Sequence, residues 1–201
     1  MIPSYIFIHH TASSRKTNPD QWKATDAYHK LKGWGGGGYN YEIAANGSLH
    51  QFREDGTETA AQYQKNMNDG RAISICLDGF FDTEQNELPT PEQMAAVKKL
   101  VEEKMLKYKI PKENILPHRN VAPKTCPGSA IPNDLITFFK INTNADLPEF
   151  VVSNHALVAW QKAKDSNIVT DVTKPQALVT TENLMVFLDR LNLLPEENIL
   201  P

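Results

Sequence analysis

The chain has 201 residues, 40% hydrophobic and 22% charged, an ordinary composition for a globular protein and enough for one good core plus an appendage. A formal net charge of -3 gives a nucleic-acid partner no electrostatic support. No apolar run approaches the roughly 18 residues of a membrane span, and Met1 to Tyr5 lack the basic, apolar and small-residue pattern of a secretory leader, so retention in the cytoplasm where the chain is made is expected.

Taken in order, Ile6-Phe7-Ile8-His9 reads as a strand buried on both faces and ending in an imidazole. Asn18-Pro19-Asp20-Gln21 reads as a helix start, with Asn18 as N-cap and Pro19 in the first turn. That helix is expected to run to about Lys32 and to stop at Gly33, with His29 on it as a packing or surface residue. A glycine run, Gly33 to Gly38, holds Trp34 and leads into Tyr39. Tyr39 to Ala44 and Leu49 to Phe52 then predict a hairpin closed by a type I′ turn at Asn46-Gly47. The polar stretch Gly56 to Gly70 is expected to border a cleft. Ala72 to Leu77 is a second buried strand, in which Cys76 reads as a small core residue. Thr90-Pro91-Glu92-Gln93 has the form of a capping box. The helix it opens carries an apolar stripe of Met94, Val97, Val101, Met105 and Tyr108. A short strand, Ile115-Leu116, and a last helix over about Asn133 to Phe139 complete the body. This order predicts an α/β fold, a mixed central β-sheet flanked by helices.

The body and the rest of the chain differ in charge. Before Ile141 there are 17 Lys and Arg against 16 Asp and Glu; after it there are 4 against 8. We expect one catalytic domain over residues 1–141, a linker over 142–150 and a small α-helical appendage over 151–201. In the appendage, Val179 and Leu184 are placed for a hydrophobic staple around Thr180.

The chemistry concentrates in Pro117-His118-Arg119-Asn120-Val121-Ala122-Pro123-Lys124-Thr125-Cys126-Pro127-Gly128. An imidazole, an ammonium and a thiol fall within nine residues of a loop stiffened by prolines. A catalytic zinc usually takes three protein ligands and leaves a fourth position to water. His118 and Cys126 are two candidates, and His9, at the end of its strand, is the third. His10 faces the other way on a regular strand and reads as a neighbour of the site. The residues alone leave a second reading open, a cysteine hydrolase with Cys126 as nucleophile and His9, His10 or His118 as base. A Cys76–Cys126 disulfide would be incompatible with a zinc thiolate.

Four stretches in this order, Ile6 to Ala12, His29 to Tyr41 (HKLKGWGGGGYNY), Ala72 to Leu77 and His118 to Gly128 (HRNVAPKTCPG), resemble the zinc N-acetylmuramoyl-L-alanine amidases, the family of phage lysozyme-type amidases and peptidoglycan recognition proteins. The resemblance implies one zinc ion on His9, His118 and Cys126. It also implies catalytic roles for Tyr39, which would orient the attacking water, and for Lys124, which would stabilise the oxyanion. Trp34, Asn40 and Arg119 become candidate substrate contacts. Asn40 stands where the phage pattern often has His, a departure that recognition proteins share, and no glutamate base of the cytosolic recycling relatives is evident. The expected partner is bacterial peptidoglycan, and the expected role is that of a phage endolysin held in the host cytoplasm until a holin-type lesion releases it. The alternatives are a recycling amidase and a non-catalytic binding protein. The helical appendage is weakly similar to a surface-layer-homology repeat, which leaves wall binding and homodimer formation both open.

Overall fold

The computed structural model describes residues 1–16, 18, 20–62 and 67–143. The expectations for residues 144–201, the greater part of the linker and the whole helical appendage, lie outside the described residues.

Five strands form one sheet: β1 (Tyr5–His10), β2 (Tyr41–Ile43), β3 (Leu49–Gln51), β4 (Ala72–Leu77) and β5 (Ile115–Pro117), in the order β3-β2-β4-β1-β5. β1 is parallel to both β4 and β5, β2 is parallel to β4, and only β2 and β3 are antiparallel. The sheet is mixed, as expected. β1 and β4 are interior strands, and the unbroken apolar runs that predicted them follow from burial on both faces. Among the described residues three α-helices accompany the sheet: α1 (Trp22–Leu31), α2 (Pro91–Tyr108) and α3 (Leu135–Phe138).

The core joins Ile6, Ile8, Ile73 and Ile75 to Val97, Leu100, Val101 and Met105 of α2. Burying each such side chain contributes roughly 1.5–3 kcal/mol. α2 opens with the expected capping box: Thr90 Oγ1 accepts from Gln93 N at 3.0 Å, and Thr90 N donates to Gln93 Oε1 at 3.1 Å. The same Gln93 is fully buried, and its Nε2 donates to Ile43 O at 3.0 Å and Asp78 O at 2.9 Å, which fastens the helix start to the ends of β2 and β4.

Three local expectations are corrected. α1 starts at Trp22, later than Asn18-Pro19 indicated, with Gln21 as N-cap. The carboxylate that serves its N-terminus comes from the end of β4, where Asp78 Oδ2 accepts from Gln21 N at 2.7 Å, while Asn18 only offers its carbonyl to Gln21 Nε2 at 3.0 Å. The hairpin turn is not type I′, which needs positive φ at two successive residues. Here Ala44 and Ser48 pair across the turn, and of Asn46 and Gly47 only Gly47 has positive φ, at 81°. That gives a three-residue loop whose glycine takes the left-handed position. α3 begins at Leu135 because Asp134 caps it, accepting from Thr137 N at 3.1 Å.

Candidate metal centre

The register Ile8↔Pro117 brings the carboxyl ends of β1 and β5 side by side, so His9 and His118 leave neighbouring strands at one level. Their ring centroids are 4.4 Å apart. Cys126 comes from the following loop and places Sγ 3.8 Å from His9 Nδ1. One ligand atom from each of His9, His118 and Cys126 lies within 4.8 Å of the others.

Arg119 builds the loop that delivers the thiol. Its Nε donates to Asn133 Oδ1 at 2.7 Å, Nη1 to Thr125 O and Gly128 O at 3.1 and 3.0 Å, and Nη2 to Ile131 O. Four of the five guanidinium protons are thereby spent, two on the loop and two on the segment after it, and Arg119 N also donates to Cys126 O at 2.8 Å. Gly128 ends the loop at φ 113°, and a Cβ there would stand 2.3 Å from Phe81 O. Asp82 ties the loop from the other side, with Oδ1 accepting from Ser129 N at 2.8 Å.

Burial sets the protonation of the centre. It lowers His9 well below the usual imidazole range, with His118 adding to the effect, and lowers His118 to about 4, with Lys124 adding. Both rings are neutral at physiological pH and free to offer a lone pair. Burial pushes the Cys126 thiol up to about 12, so binding a cation there displaces a proton. His118 Nε2 is buried without a hydrogen-bond partner. Two neutral imidazoles, a thiol and an unmet nitrogen suit a zinc ion. Cys76 and Cys126 are both free thiols.

A cavity of about 490 Å³ opens over this cluster and is lined by His9, Trp34, Tyr39, His118, Lys124 and Cys126 among others. Lys124 is exposed at its rim. The Tyr39 ring lies 5.2 Å from that of His9, and burial raises its hydroxyl well above the usual phenol range. His29, read from sequence as packing or surface, is buried. Its Nδ1 accepts from Gly38 N at 3.0 Å and its ring rests 4.6 Å from Trp34. His10 lines the cavity with Nδ1 accepting from Phe81 N at 3.3 Å, outside the cluster of potential ligands. Ala60 and Ala61 bring the stretch Gly56 to Gly70 to the cavity wall, as expected.

Asn40 does not line this cavity. It is fully buried, with Oδ1 accepting from Ser74 N at 2.8 Å and Nδ2 donating to Glu54 O at 2.9 Å, a strut between β2 and β4. Two contributors escaped the sequence reading. Gln62 reaches His9 from within the loop of residues 56–70, and Glu42 lies buried in β2. Nothing in a polar loop marks which amide turns inward, whereas an acid between Tyr41 and Ile43 in a buried strand was a signal.

Two imidazoles at the carboxyl ends of parallel strands and a thiol from the following loop, under an open cavity with a lysine at its rim, have the layout of a metallohydrolase centre. The chain belongs to the N-acetylmuramoyl-L-alanine amidase family, whose model matches residues 1–129. The endolysin of Enterobacteria phage K11 is 32% identical over 127 residues, covering 62% of this chain and 80% of that protein. Peptidoglycan-recognition protein SC2 of Drosophila simulans is 33% identical over 141 residues, covering 67% and 73% respectively. Among solved structures, N-acetylmuramoyl-L-alanine amidase LysC from Clostridium intestinale superposes with a TM-score of 0.59 at 28% identity, covering 71% of this chain and 88% of its own.

Proposed function

We propose that the chain is a zinc-dependent amidase that cleaves the amide between the lactyl group of muramic acid and the first L-alanine of the stem peptide, and that it serves as a phage endolysin in host lysis. The observation that carries this reading is the convergence of His9, His118 and Cys126 within 4.8 Å beneath an open cavity. These three residues would hold the ion, which supplies a Lewis acid and a water of lowered pKa.

The chain's own groups do the rest. Burial keeps the Tyr39 hydroxyl protonated, so it donates a hydrogen bond and orients the attacking water. Lys124 presents an ammonium to the negative charge that develops on the carbonyl oxygen, a contribution of about 3 kcal/mol when such a donor is preorganised. Trp34 offers a ring face at the cavity wall to the wall polymer. Asn40 acts on substrate by holding the sheet in place, and Arg119 holds the Cys126 loop while lining a surface pocket beside Lys124. Residues 151–201 either bind the wall or pair two copies.

The test is clearing of purified peptidoglycan together with release of new N-terminal alanine, run on native protein, chelated protein, zinc-restored protein and Cys126→Ser. Activity lost on chelation, regained with zinc and absent in the variant is the expected pattern. Activity indifferent to chelator would favour a metal-free cysteine hydrolase. Zinc-loaded protein that binds intact wall without releasing alanine would leave a recognition protein or a recycling enzyme.

A further inference from the structure

Gln62 is 5% exposed and stands between His9 and β4. Its Nε2 lies 3.3 Å from His9 Nε2 and 2.7 Å from Ser74 Oγ, while its Oε1 is buried without a partner. The position is built by its own clamp. Asn68 accepts from Gln62 N at 2.9 Å through Oδ1 and donates to Gln62 O at 2.8 Å through Nδ2, and Thr59 Oγ1 steadies Asn68 at 3.0 Å.

The two nitrogens of His9 face different groups: Nδ1 looks toward Cys126 Sγ and Nε2 toward the amide. A neutral imidazole that gives the lone pair of Nδ1 to a cation carries its proton on Nε2. An amide NH2 facing that proton would set donor against donor. Turning the amide by half a revolution exchanges its oxygen and nitrogen, and Oε1 then accepts from both His9 Nε2 and Ser74 Oγ. Either orientation leaves one end of the amide unpartnered, so without a metal the choice is nearly balanced. A ligand at Nδ1 decides it.

We propose that Gln62 is the positioning residue of the metal centre, accepting the Nε2 proton of His9 and so fixing the tautomer and ring orientation that present Nδ1 to the ion. The inference rests on the zinc reading above. Partners of this kind raise the basicity of a ligating imidazole, and their loss typically lowers metal affinity about 10- to 100-fold.

The experiment measures zinc dissociation constants by competition with a chromophoric chelator for the full chain, Gln62→Met and Gln62→Glu, with circular dichroism of each zinc-free protein as the control for folding. Gln62→Met, close in shape but without the amide acceptor, should bind zinc about 10- to 100-fold more weakly. Gln62→Glu, which keeps an acceptor and has no donor when ionised, should stay within about threefold of native or bind more tightly. Native affinity in Gln62→Met, or an equal loss in Gln62→Glu, would overturn the assignment while leaving the zinc reading intact. A native chain that takes no zinc from the chelator would overturn both. If Gln62→Met does not fold, the long-range proton–nitrogen spectrum of zinc-loaded native protein decides: a His9 Nε2 proton shifted downfield and exchanging slowly, as one held by an amide oxygen is, supports the assignment, and an Nε2 proton with neither property, or a proton on Nδ1, overturns it.

Discussion

Replacing Glu42 by glutamine exchanges one oxygen for an amide nitrogen inside β2, yet it should change how the whole domain responds to pH. Glu42 and Asp78 are both fully buried, and each carboxyl acts on the titration of the other. Thr25 Oγ1 donates to Glu42 Oε1 at 3.2 Å and Gln21 N donates to Asp78 Oδ2 at 2.7 Å, which leaves Glu42 Oε2 and Asp78 Oδ1 buried without a partner. One shared proton satisfies both. Burial, reinforced by Asp78, pushes the Glu42 carboxyl up to about 9, whereas an unfolded glutamate titrates near about 4.3. Between those values the native state binds more protons than the unfolded chain, so stability is greatest at the acid end and falls as pH rises.

The difference of nearly one proton persists over about 3.5 pH units, which at roughly 1.4 kcal/mol per unit corresponds to about 4–5 kcal/mol. Glutamine keeps a donor toward Asp78 and has nothing to titrate. In urea unfolding followed by tryptophan fluorescence, with excess chelator to remove metal-linked protons, the native chain should lose about 4–5 kcal/mol relative to Glu42→Gln between roughly pH 5 and pH 8.5. Taking the difference between the two proteins cancels the titration of every group outside the Glu42–Asp78 pair. Parallel stability curves would refute the shared proton and mean that Glu42 is ionised in the folded chain.

Three further outcomes are expected. Lys124→Ala should lower kcat for alanine release about 100-fold, roughly 3 kcal/mol of transition-state stabilisation, and leave zinc affinity by chelator competition unchanged. Gly128→Ala forces a Cβ to within 2.3 Å of Phe81 O at a φ of 113°, so thermal unfolding should show a loss of at least about 2 kcal/mol, accompanied by weaker zinc retention as the Cys126 loop shifts. Asn40→Ala strands Ser74 N and Glu54 O, and denaturant titration should register about 2–4 kcal/mol of destabilisation with no change in KM; a raised KM on a stable fold would return Asn40 to the substrate contacts.

The parts of this fold visible in the sequence are those where one strong local signal meets no competitor. The buried runs of β1 and β4, the capping box of α2 and the proline-stiffened loop ending in Cys126 and Gly128 all appear where their residues indicate. The errors fall where a distant group takes over a local role. Asp78, 57 residues from Gln21, serves the N-terminus of α1 in place of Asn18. At the site the three potential ligands were legible because imidazole and thiol are scarce, the two imidazoles sit at strand ends and the thiol lies in a proline-stiffened loop. Gln62 was not, since one amide in a polar loop looks like any other until the fold turns it toward His9. Asn40 and Arg119 carry polar side chains beside the motifs, and only the coordinates show them committed to backbone groups.

The potential ligands also span the domain in time. His9 lies in the first strand and Cys126 lies 117 residues later, with β4 and β5, the two neighbours of β1, both arriving after it during synthesis. His9 therefore waits without His118 or Cys126 until the last strand docks at the sheet edge. An ion that bridges them closes a loop of more than a hundred residues, and the entropy of that closure grows only slowly with length. If the three donors hold zinc as proposed, the centre would act as a completion signal for the domain: a nascent or clipped chain that lacks β5 and its loop has one imidazole of the three donors.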